Sequence, residues 1–169
     1  MNVIRLLFPQ PTDIVAQTLA KRSWRFLRVS DTMIITGAVI PPSRCLIVFT
    51  DDQKRKTLCI FFFDLDTARE DTGPIGQGFL QANFKVHENE GHTQEQVNKV
   101  CERLMAENFR ILLGRFERDP EDGEIRFSIA LPYRNRRPTV AQIDWCINMG
   151  LETVTRVMPQ IRHLVERSW

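Results

Sequence analysis

The sequence has no long hydrophobic run. Its longest uninterrupted apolar stretch is Leu58–Phe63, whereas a helix that spans a bilayer needs about 20 apolar residues. The apolar stretch at the start of the chain is too short for a secretory signal peptide, and Pro9 interrupts it. These absences argue against a membrane protein. We expect a soluble, cytoplasmic chain without a membrane partner.

The sequence also has few cysteines and no C-x-x-C pair. Without that spacing, neither a zinc knuckle nor a redox-active dithiol is indicated. We expect buried, reduced thiols, the usual state of free cysteine in a reducing compartment. The cysteines are widely separated and lie among apolar residues: Cys45, Cys59, Cys101 and Cys146.

The motifs of the common enzyme classes are missing as well. No serine stands in a G-x-S-x-G setting, so the strained turn of a serine hydrolase is not predicted. Gly73 and Gly78 have the glycine spacing of a phosphate-binding loop, but Phe79 and Leu80 stand where Lys and Ser or Thr are required. We therefore predict that the chain is not an enzyme and has no cofactor.

The segment 87–92 is the one cluster of possible metal ligands in the sequence, with two histidines and two glutamates. A zinc site needs three or four ligands at helical or knuckle spacing, and no cysteine pair completes this one. A solvated loop is the better interpretation, and no metal is predicted.

The remaining composition is that of an ordinary globular domain. The chain has 169 residues, 43% of them hydrophobic and 26% charged, so we predict one domain over residues 1–169. Its 23 basic and 21 acidic residues give a net charge of +2, well short of the basic excess that phosphate backbones select. Nucleic acid is therefore not an expected partner.

Hydrophobic patterning predicts an α+β fold: three helices and a mainly antiparallel sheet of about five strands, in the order α-β-β-β-α-β-β-α. Alternating and β-branched stretches indicate strands, and stripes at spacings of three or four indicate helices. The predicted segments are a helix over 12–22, strands over 24–29, 33–39, 45–50 and 57–65, a helix over 93–108, a hairpin over 111–116 and 125–131, and a helix from 139.

Local signals place the helix ends. Thr12 is predicted to cap the first helix, and Thr93–Gln96 and Thr139–Gln142 have the spacing of a capping box. Pro159 lies within the apolar stripe of the last helix and predicts a kink or break after Met158. The apolar face expected for the middle helix comprises Val97, Val100, Cys101, Leu104 and Met105.

The strand predicted at 57–65 is apolar on both faces. Phe61 and Phe63 would lie on one face, and Ile60 and Phe62 on the other, which is typical of a central strand buried on two sides. Three helices can cover one face of such a sheet, or both faces only in part. We expect a second copy or a client protein to bury the remaining apolar surface. The prediction is a non-catalytic interaction module, chaperone-like or regulatory, that acts as a homodimer.

Two basic loops keep alternative functions open. Arg134, Arg136 and Arg137 form one loop, Lys54–Lys56 forms the other, and both could contact phosphates or an acidic partner. The sequence has only 3 Trp and 1 Tyr, which disfavours a stacking platform for bases. Net charge favours solvated loops over a nucleic-acid surface.

A small-ligand sensor is the other alternative. Its pocket would lie between the sheet and the last helix, near Trp145 and Cys146. The candidate partner-binding residues are Arg134, Arg136, Arg137 and Trp145.

The C-terminal half resembles the YbjN family of bacterial proteins. The residues that carry the resemblance are the helix that Thr93 begins, Asn108–Arg110 leading into Leu113–Phe116, the segment Asp119–Phe127, Leu131 with Pro132, and Thr139. The resemblance implies a fold similar to type III secretion chaperones, small α+β dimers that bind other proteins without catalysis. It also implies a role as a sensory-transduction regulator, and it supplies no catalytic residue or cofactor.

Overall fold

The computed structural model describes residues 9–40, 43–65, 84–134 and 136–166. These residues form three α-helices, six strands and a short 3₁₀ helix at Glu88–Glu90. In chain order the elements are α1 (Pro11–Lys21), β1 (Phe26–Ser30), β2 (Met33–Ile40), β3 (Ser43–Asp52), β4 (Thr57–Asp64), α2 (Gln94–Asn108), β5 (Arg115–Arg118), β6 (Ile125–Pro132) and α3 (Val140–Glu166).

The strands form one antiparallel sheet in the order β1-β2-β3-β4-β6-β5. The α+β class is confirmed, but the sheet has six strands and not about five. The four strands before α2 correspond to the four segments predicted there. A turn separates β3 from β4, and Lys56 adopts a left-handed φ of 51° there. All of β4 pairs with β3, from Cys45 opposite Asp64 to Asp52 opposite Thr57.

The hairpin of β5 and β6 is shorter than predicted. β5 begins at Arg115 and not at Ile111, because the chain makes a turn at Gly114 with φ 86° before it pairs with β6. Ile111 and Leu113 nevertheless pack against the core. The predicted alternation of β6 is confirmed, with Ile125, Phe127 and Ile129 buried.

The sheet is apolar on both faces at its centre, as predicted. Ile60 and Phe62 belong to the main core, which all three helices share with this inner face. Phe61 and Phe63 lie in a second cluster on the outer face, with Leu46 and others. Leu46 is only 1% exposed, so the outer face is already closed around β3 and β4.

The two predicted capping boxes are confirmed. The Thr93 hydroxyl accepts a hydrogen bond from Gln96 N at 3.2 Å, and the Gln96 side chain accepts one from Thr93 N at 2.7 Å. Thr139 and Gln142 make the same pair of bonds, at 3.2 and 2.8 Å. The Thr12 prediction is wrong, since its hydroxyl donates to Asp31 O at 2.7 Å.

Gln10 occupies the cap position of α1 instead. Its backbone N–H donates to the Asp13 carboxylate at 2.8 Å. Asp13 therefore accepts a hydrogen bond at the N-terminus of α1, where the helix dipole favours a negative charge.

The predicted break of the last helix at Pro159 is wrong. α3 is continuous from Val140 to Glu166, and its apolar stripe is buried as expected. A proline leaves carbonyls of the preceding turn without their usual donors. Pro159 lacks the N–H that would donate to Thr155 O, and the helix continues because Val157, Met158 and Ile161 on either side of the proline are buried in the core.

Some predictions fall outside the described residues, namely the glycine loop at Gly73 and Gly78 and the turn at Pro41 and Pro42. Of the less regular segment that follows, Phe84 and Val86 are buried and Lys85 bridges to Glu124. None of the helices in the described part of the chain is both long and apolar enough to cross a membrane.

Candidate interaction surfaces

The two basic loops predicted from the sequence lie side by side at one end of the sheet. Thr57 pairs with Pro132 across β4 and β6, and Tyr133 N donates to Lys56 O at 2.8 Å. Pairing of the two strands thus joins loops that are far apart in sequence. We call this group of residues the basic end: Lys54, Arg55, Lys56, Arg134, Arg136 and Arg137.

Most of the basic end faces solvent, and Arg137 is partly buried. Two carboxylates lie beneath it. Asp52 is 3.6 Å from the Arg55 guanidinium, and Asp51 accepts a hydrogen bond from the Tyr133 hydroxyl. Burial and the Asp51 carboxylate both raise the pKa of Tyr133. The six cations therefore outnumber the two nearby acids, which leaves a local positive surface on a chain of nearly neutral charge.

Trp145 and Cys146 lie in different environments. Trp145 is 57% exposed on α3, whereas Cys146 is fully buried in the core. Next to Trp145, the Asp144 carboxylate accepts from Arg22 at 2.6 Å and so ties α3 to the end of α1. Trp145 is thus an exposed aromatic side chain beside a helix contact, separate from the interior position of Cys146.

The four cysteines are free, but burial is confirmed only for Cys45 and Cys146, because Cys59 and Cys101 are partly exposed. Burial raises the pKa of the Cys45 thiol strongly, and the nearby Asp64 charge adds to the effect. Burial also raises the pKa of Cys146 to about 11. Both thiols are protonated at neutral pH and are poor nucleophiles.

The histidine segment uses its ring nitrogens locally. His87 Nδ1 accepts from Asn89 N at 3.1 Å, and His92 Nε2 lies 3.2 Å from Lys85 O. Among the residues that the structure describes, no group of three or more His, Cys, Asp or Glu side chains could hold a metal ion.

β1 is an edge strand of the sheet that the described residues form. Among the described strands it pairs only with β2, and its register is irregular between Arg28 and Ser30. Its three large apolar side chains, Phe26, Leu27 and Val29, are all exposed. An edge strand of this kind presents unpaired backbone groups beside apolar side chains, and it can accept a further strand.

Arg28, the one charged residue within β1, is already paired. Its guanidinium donates to the Asp13 carboxylate on α1 at 2.9 Å. The side chain that would otherwise discourage another strand is therefore directed toward a helix of the same chain.

β5 is the opposite edge, and it is protected by charge. The Glu117 carboxylate accepts from Arg115 at 2.8 Å, from Arg126 at 2.9 Å and from Ser128 at 3.1 Å. Burial tends to raise the pKa of Glu117, but these hydrogen bonds outweigh it and lower the pKa. A short edge with ionised side chains is a known protection against unwanted pairing.

The sequence analysis missed one apolar surface and misplaced one of its residues. Met105 does not face the core with the rest of its predicted stripe and is exposed. Phe109 and Leu112, just beyond α2, are exposed to almost their full extent. The signal was available, since 105, 109 and 112 continue a helical spacing that diverges from the buried stripe at Val97, Val100 and Leu104.

The fold and these surfaces define a class: an antiparallel α+β domain with apolar and basic surfaces open to partners. The crystal structure of YbjN from E. coli, a protein with a proposed role as a transcription regulator, has a similar fold. The likeness covers 90% of this chain and 91% of that chain, with a TM-score of 0.55 and 12% sequence identity. The expected YbjN-like fold is thereby confirmed. No protein-family model matches the chain, and no curated protein matches it in sequence.

Proposed function

We propose that this chain is a non-catalytic protein-interaction module, chaperone-like or regulatory, that acts in the cytoplasm as a homodimer joined through β1 of each copy. One observation carries the proposal: the two edges of the same sheet differ, β1 being apolar and open and β5 being charged. A sheet with one charged edge, which disfavours an added strand, and one apolar edge is suited to pairing at the apolar edge.

Charge repulsion limits how the two β1 strands can align in the dimer, and we call the contact between them the β1 seam. Like charges directly opposite each other destabilise a strand pair, which disfavours an antiparallel pair centred on Arg28. A pair centred on Leu27 places Leu27 against its own copy and Phe26 against Arg28. Arg25 then stands opposite Val29, and the two Arg25 side chains are separated by about 13 Å, beyond the Debye length at physiological salt. The two Arg28 side chains then lie two residues apart along the strands, about 7 Å, and each is neutralised by Asp13 of its own chain. A two-fold axis through Leu27 satisfies these conditions.

The seam is short, so the dimer should be weak. Stable protein interfaces bury about 1,200–2,000 Å² in total, and five paired residues per copy supply less. We expect a dissociation constant in the micromolar range, which corresponds to roughly 8 kcal/mol. A dimer of this affinity would respond to the amount of protein present, as suits a regulatory module.

The environment of the thiols supports a non-catalytic role. Burial raises the pKa of Cys45 and Cys146, and burial together with Asp52 raises that of Cys59. A cysteine nucleophile requires the opposite shift, toward a thiolate at neutral pH. The likeness to YbjN supports a regulatory use of the module.

Sedimentation velocity at concentrations from about 1 to about 100 µM tests the dimer. The wild type should shift from monomer to dimer across this range, and Leu27→Lys should remain monomeric. Met105→Lys is the matched control, because it introduces the same charge at an exposed apolar position away from β1. A wild-type monomer throughout, or equal dimerisation of Leu27→Lys, would contradict the proposal.

The juxtaposition of the two basic loops favours a second candidate, binding of a polyanion such as a nucleic acid. Counterion release makes such binding fall steeply with salt. Replacement of Arg134 and Arg136 by Gln should then weaken binding of a labelled single-stranded oligonucleotide, with Lys21→Gln as a control on a distant helix. Binding that is absent at low salt, or that is equal in both variants, would remove this candidate.

A further inference from the structure

Three arginines converge on one buried carboxylate where α2 and α3 meet. The Glu107 side chain is fully buried near the end of α2, and its oxygen Oε1 lies 2.6 Å from Arg103 and 3.3 Å from Arg110. From α3, Arg156 donates to the other oxygen, Oε2, at 2.9 Å. We call these four residues the Glu107 cluster. They come from α2, the turn that follows it and α3, so tertiary packing assembles the cluster.

The Glu107 cluster carries excess positive charge. Burial tends to raise the pKa of Glu107, but the Arg156 hydrogen bond and the arginine charges outweigh it and lower the pKa, so the carboxylate stays ionised. Arginine is protonated throughout the pH range in which proteins fold. Among the described residues, the three arginines form no ion pair other than those with Glu107. Three cations therefore face one anion.

The guanidinium groups also have more donors than acceptors. Each group has five N–H donors. Beyond Glu107, the one further acceptor for them in the described part of the chain is the side-chain oxygen of Gln160, which accepts from Arg103. Arg103 Nε is buried and has no hydrogen-bond partner. A buried charged donor without an acceptor is destabilising, so an added acceptor would complete the cluster.

A ligand can reach these donors from solvent. The side chains of Arg110 and Arg156 are 67% and 50% exposed, and that of Arg103 is 32% exposed. Because Glu107 has no exposure at all, the arginines lie between its carboxylate and solvent. An approaching anion would therefore meet the guanidinium groups before the carboxylate.

Charge and donor number select the chemistry of the ligand. A carboxylate would neutralise only one of the two excess charges. A phosphate monoester carries a charge near −2 at neutral pH and has three acceptor oxygens, which guanidinium groups match in paired hydrogen bonds. Arg103 and Arg110 both contact the same oxygen of Glu107, so their guanidinium groups are close enough to share one small anion.

We propose that Arg103, Arg110 and Arg156 bind a phosphate monoester dianion. Each arginine would keep its contact with Glu107 and direct its remaining donors to the phosphate oxygens. A phosphorylated small molecule and a phosphorylated side chain of another protein present the same oxygens, and the experiment separates these two sources. The site is distinct from the β1 seam and from the basic end, and the proposal depends on neither.

Inorganic phosphate is the first probe. The full chain is titrated with sodium phosphate at neutral pH and constant ionic strength, and NMR of the arginine Nε–H groups reports on each guanidinium. The signals of Arg110 and Arg156 should shift in a saturable manner, with a dissociation constant in the millimolar range. The same ionic strength of NaCl should shift them little, because chloride cannot bridge several guanidinium groups.

Variants assign the binding to the cluster. Arg110 makes the longest contact with Glu107 and is mostly exposed, so Arg110→Gln should keep the fold, with two arginines still on the carboxylate. Phosphate should bind this variant about tenfold more weakly, the loss expected for one charged hydrogen-bond donor. Arg156→Lys keeps the charge but removes the planar fork, and it should weaken binding several-fold. Circular dichroism confirms that each variant is folded.

Lys99→Gln is the matched control. It removes one positive charge from α2, one turn before Arg103, and Lys99 pairs with Glu95 and not with Glu107. Its phosphate affinity should equal that of the wild type. Equal losses in Lys99→Gln and Arg110→Gln would overturn the proposal, because net charge alone would then explain the binding. The absence of a saturable shift in the wild type would overturn it as well.

Two further comparisons locate the site and its natural ligand. The double variant Arg134→Gln with Arg136→Gln should bind phosphate as the wild type does, and loss of binding there would move the site to the basic end and overturn the proposal. A peptide with one phosphoserine is compared with its unphosphorylated form and with inorganic phosphate. Binding of the phosphopeptide at least about tenfold tighter than that of inorganic phosphate identifies a phosphorylated protein segment, and equal binding identifies a small molecule.

Discussion

β1 and β5 are the two edges of one sheet, and they are built in opposite ways. β1 presents Phe26, Leu27 and Val29 to solvent, and its one arginine is paired with a helix of the same chain. β5 is a four-residue strand of three charged residues and one buried phenylalanine, with Glu117 bonded to two arginines.

The difference shows where this fold can accept another chain. An edge strand exposes backbone donors and acceptors whatever its side chains, so the side chains decide whether a second strand is tolerated. At β5, an added strand would have to approach an ionised cluster. At β1, it would gain apolar contacts, and the rest of the outer face is already closed by buried residues such as Leu46. Protection at one edge only would favour the proposed dimer over an open-ended polymer.

The largest effect is expected from a substitution in the turn that leads into β5, the charged edge of the sheet. Gly114→Ala would place a Cβ 2.5 Å from Phe127 and 2.7 Å from Ser128 O, at a φ that already disfavours a side chain. We expect a loss of about 3 kcal/mol in unfolding free energy, or a fall of roughly 6–12 °C in Tm. Thermal unfolding followed by circular dichroism measures it.

Gly91→Ala is the control for that variant. Gly91 has nearly the same φ, 87°, but a Cβ there would meet no atom within 4 Å. It should cost only about 1 kcal/mol. Equal losses in the two variants would mean that crowding beside β5 contributes nothing.

Removing the charge from β5 should turn a dimer into a polymer. In a double variant, Arg115→Val with Glu117→Val, Arg118 would be the one charged residue left in β5, and its guanidinium donates to Val86 O of the same chain, so each copy could pair at two sides. We expect assemblies larger than a dimer, with the second contact about tenfold or more tighter than in the wild type. Sedimentation velocity detects them. If the double variant forms dimers but no larger assemblies, a feature of β5 other than its charge prevents pairing at that edge.

A smaller change at the same edge should be pH-dependent. Because the folded state lowers the pKa of Glu117, its carboxylate stabilises the fold at pH values above the unfolded pKa, near 4.3. Glu117→Gln should cost about 1 kcal/mol at pH 7. The difference from the wild type should shrink as pH falls below the unfolded pKa and through the lower folded pKa. Urea unfolding at pH 7 and pH 3.5 should show this convergence, and a constant difference would contradict it.

The smallest expected effect is that of salt on dimerisation through β1. A dimer that pairs through apolar side chains, with Arg28 bonded to Asp13 of its own chain, should depend little on salt. Its dissociation constant should change by less than about threefold between 50 and 500 mM NaCl, a range from weak to strong screening. A steep salt dependence of dimerisation would place charged residues in the seam.

The sequence predicted the parts of the fold that rest on local patterns. The capping boxes at Thr93 and Thr139 depend on residues three apart, and the two-faced strand at 57–64 depends on its own composition. Pro159 was misjudged because burial of Val157, Met158 and Ile161 in the core outweighs the hydrogen bond that the proline removes. How deeply a segment of the helix is buried depends on tertiary packing, which a local proline signal does not contain.

The surfaces were harder to predict, since they depend on which strands become neighbours. The basic end exists because Thr57 pairs with Pro132, and only the topology shows that β1 and β5 are the outermost strands. Met105 fits either side of an amphipathic helix by spacing alone. Its exposure is determined by where α3 and β5 pack against α2.

Amide hydrogen exchange of β1 and β5 at two protein concentrations, one well below and one well above the dimer dissociation constant, tests the central claim most directly. If the β1 edges pair, exchange of the amides at Phe26–Ser30 should slow at the higher concentration, while Arg115–Arg118 should exchange at the same rate in both samples. Slower exchange at β5, or a dimer in which β1 exchange is unchanged, would contradict the assignment of β1 as the pairing edge.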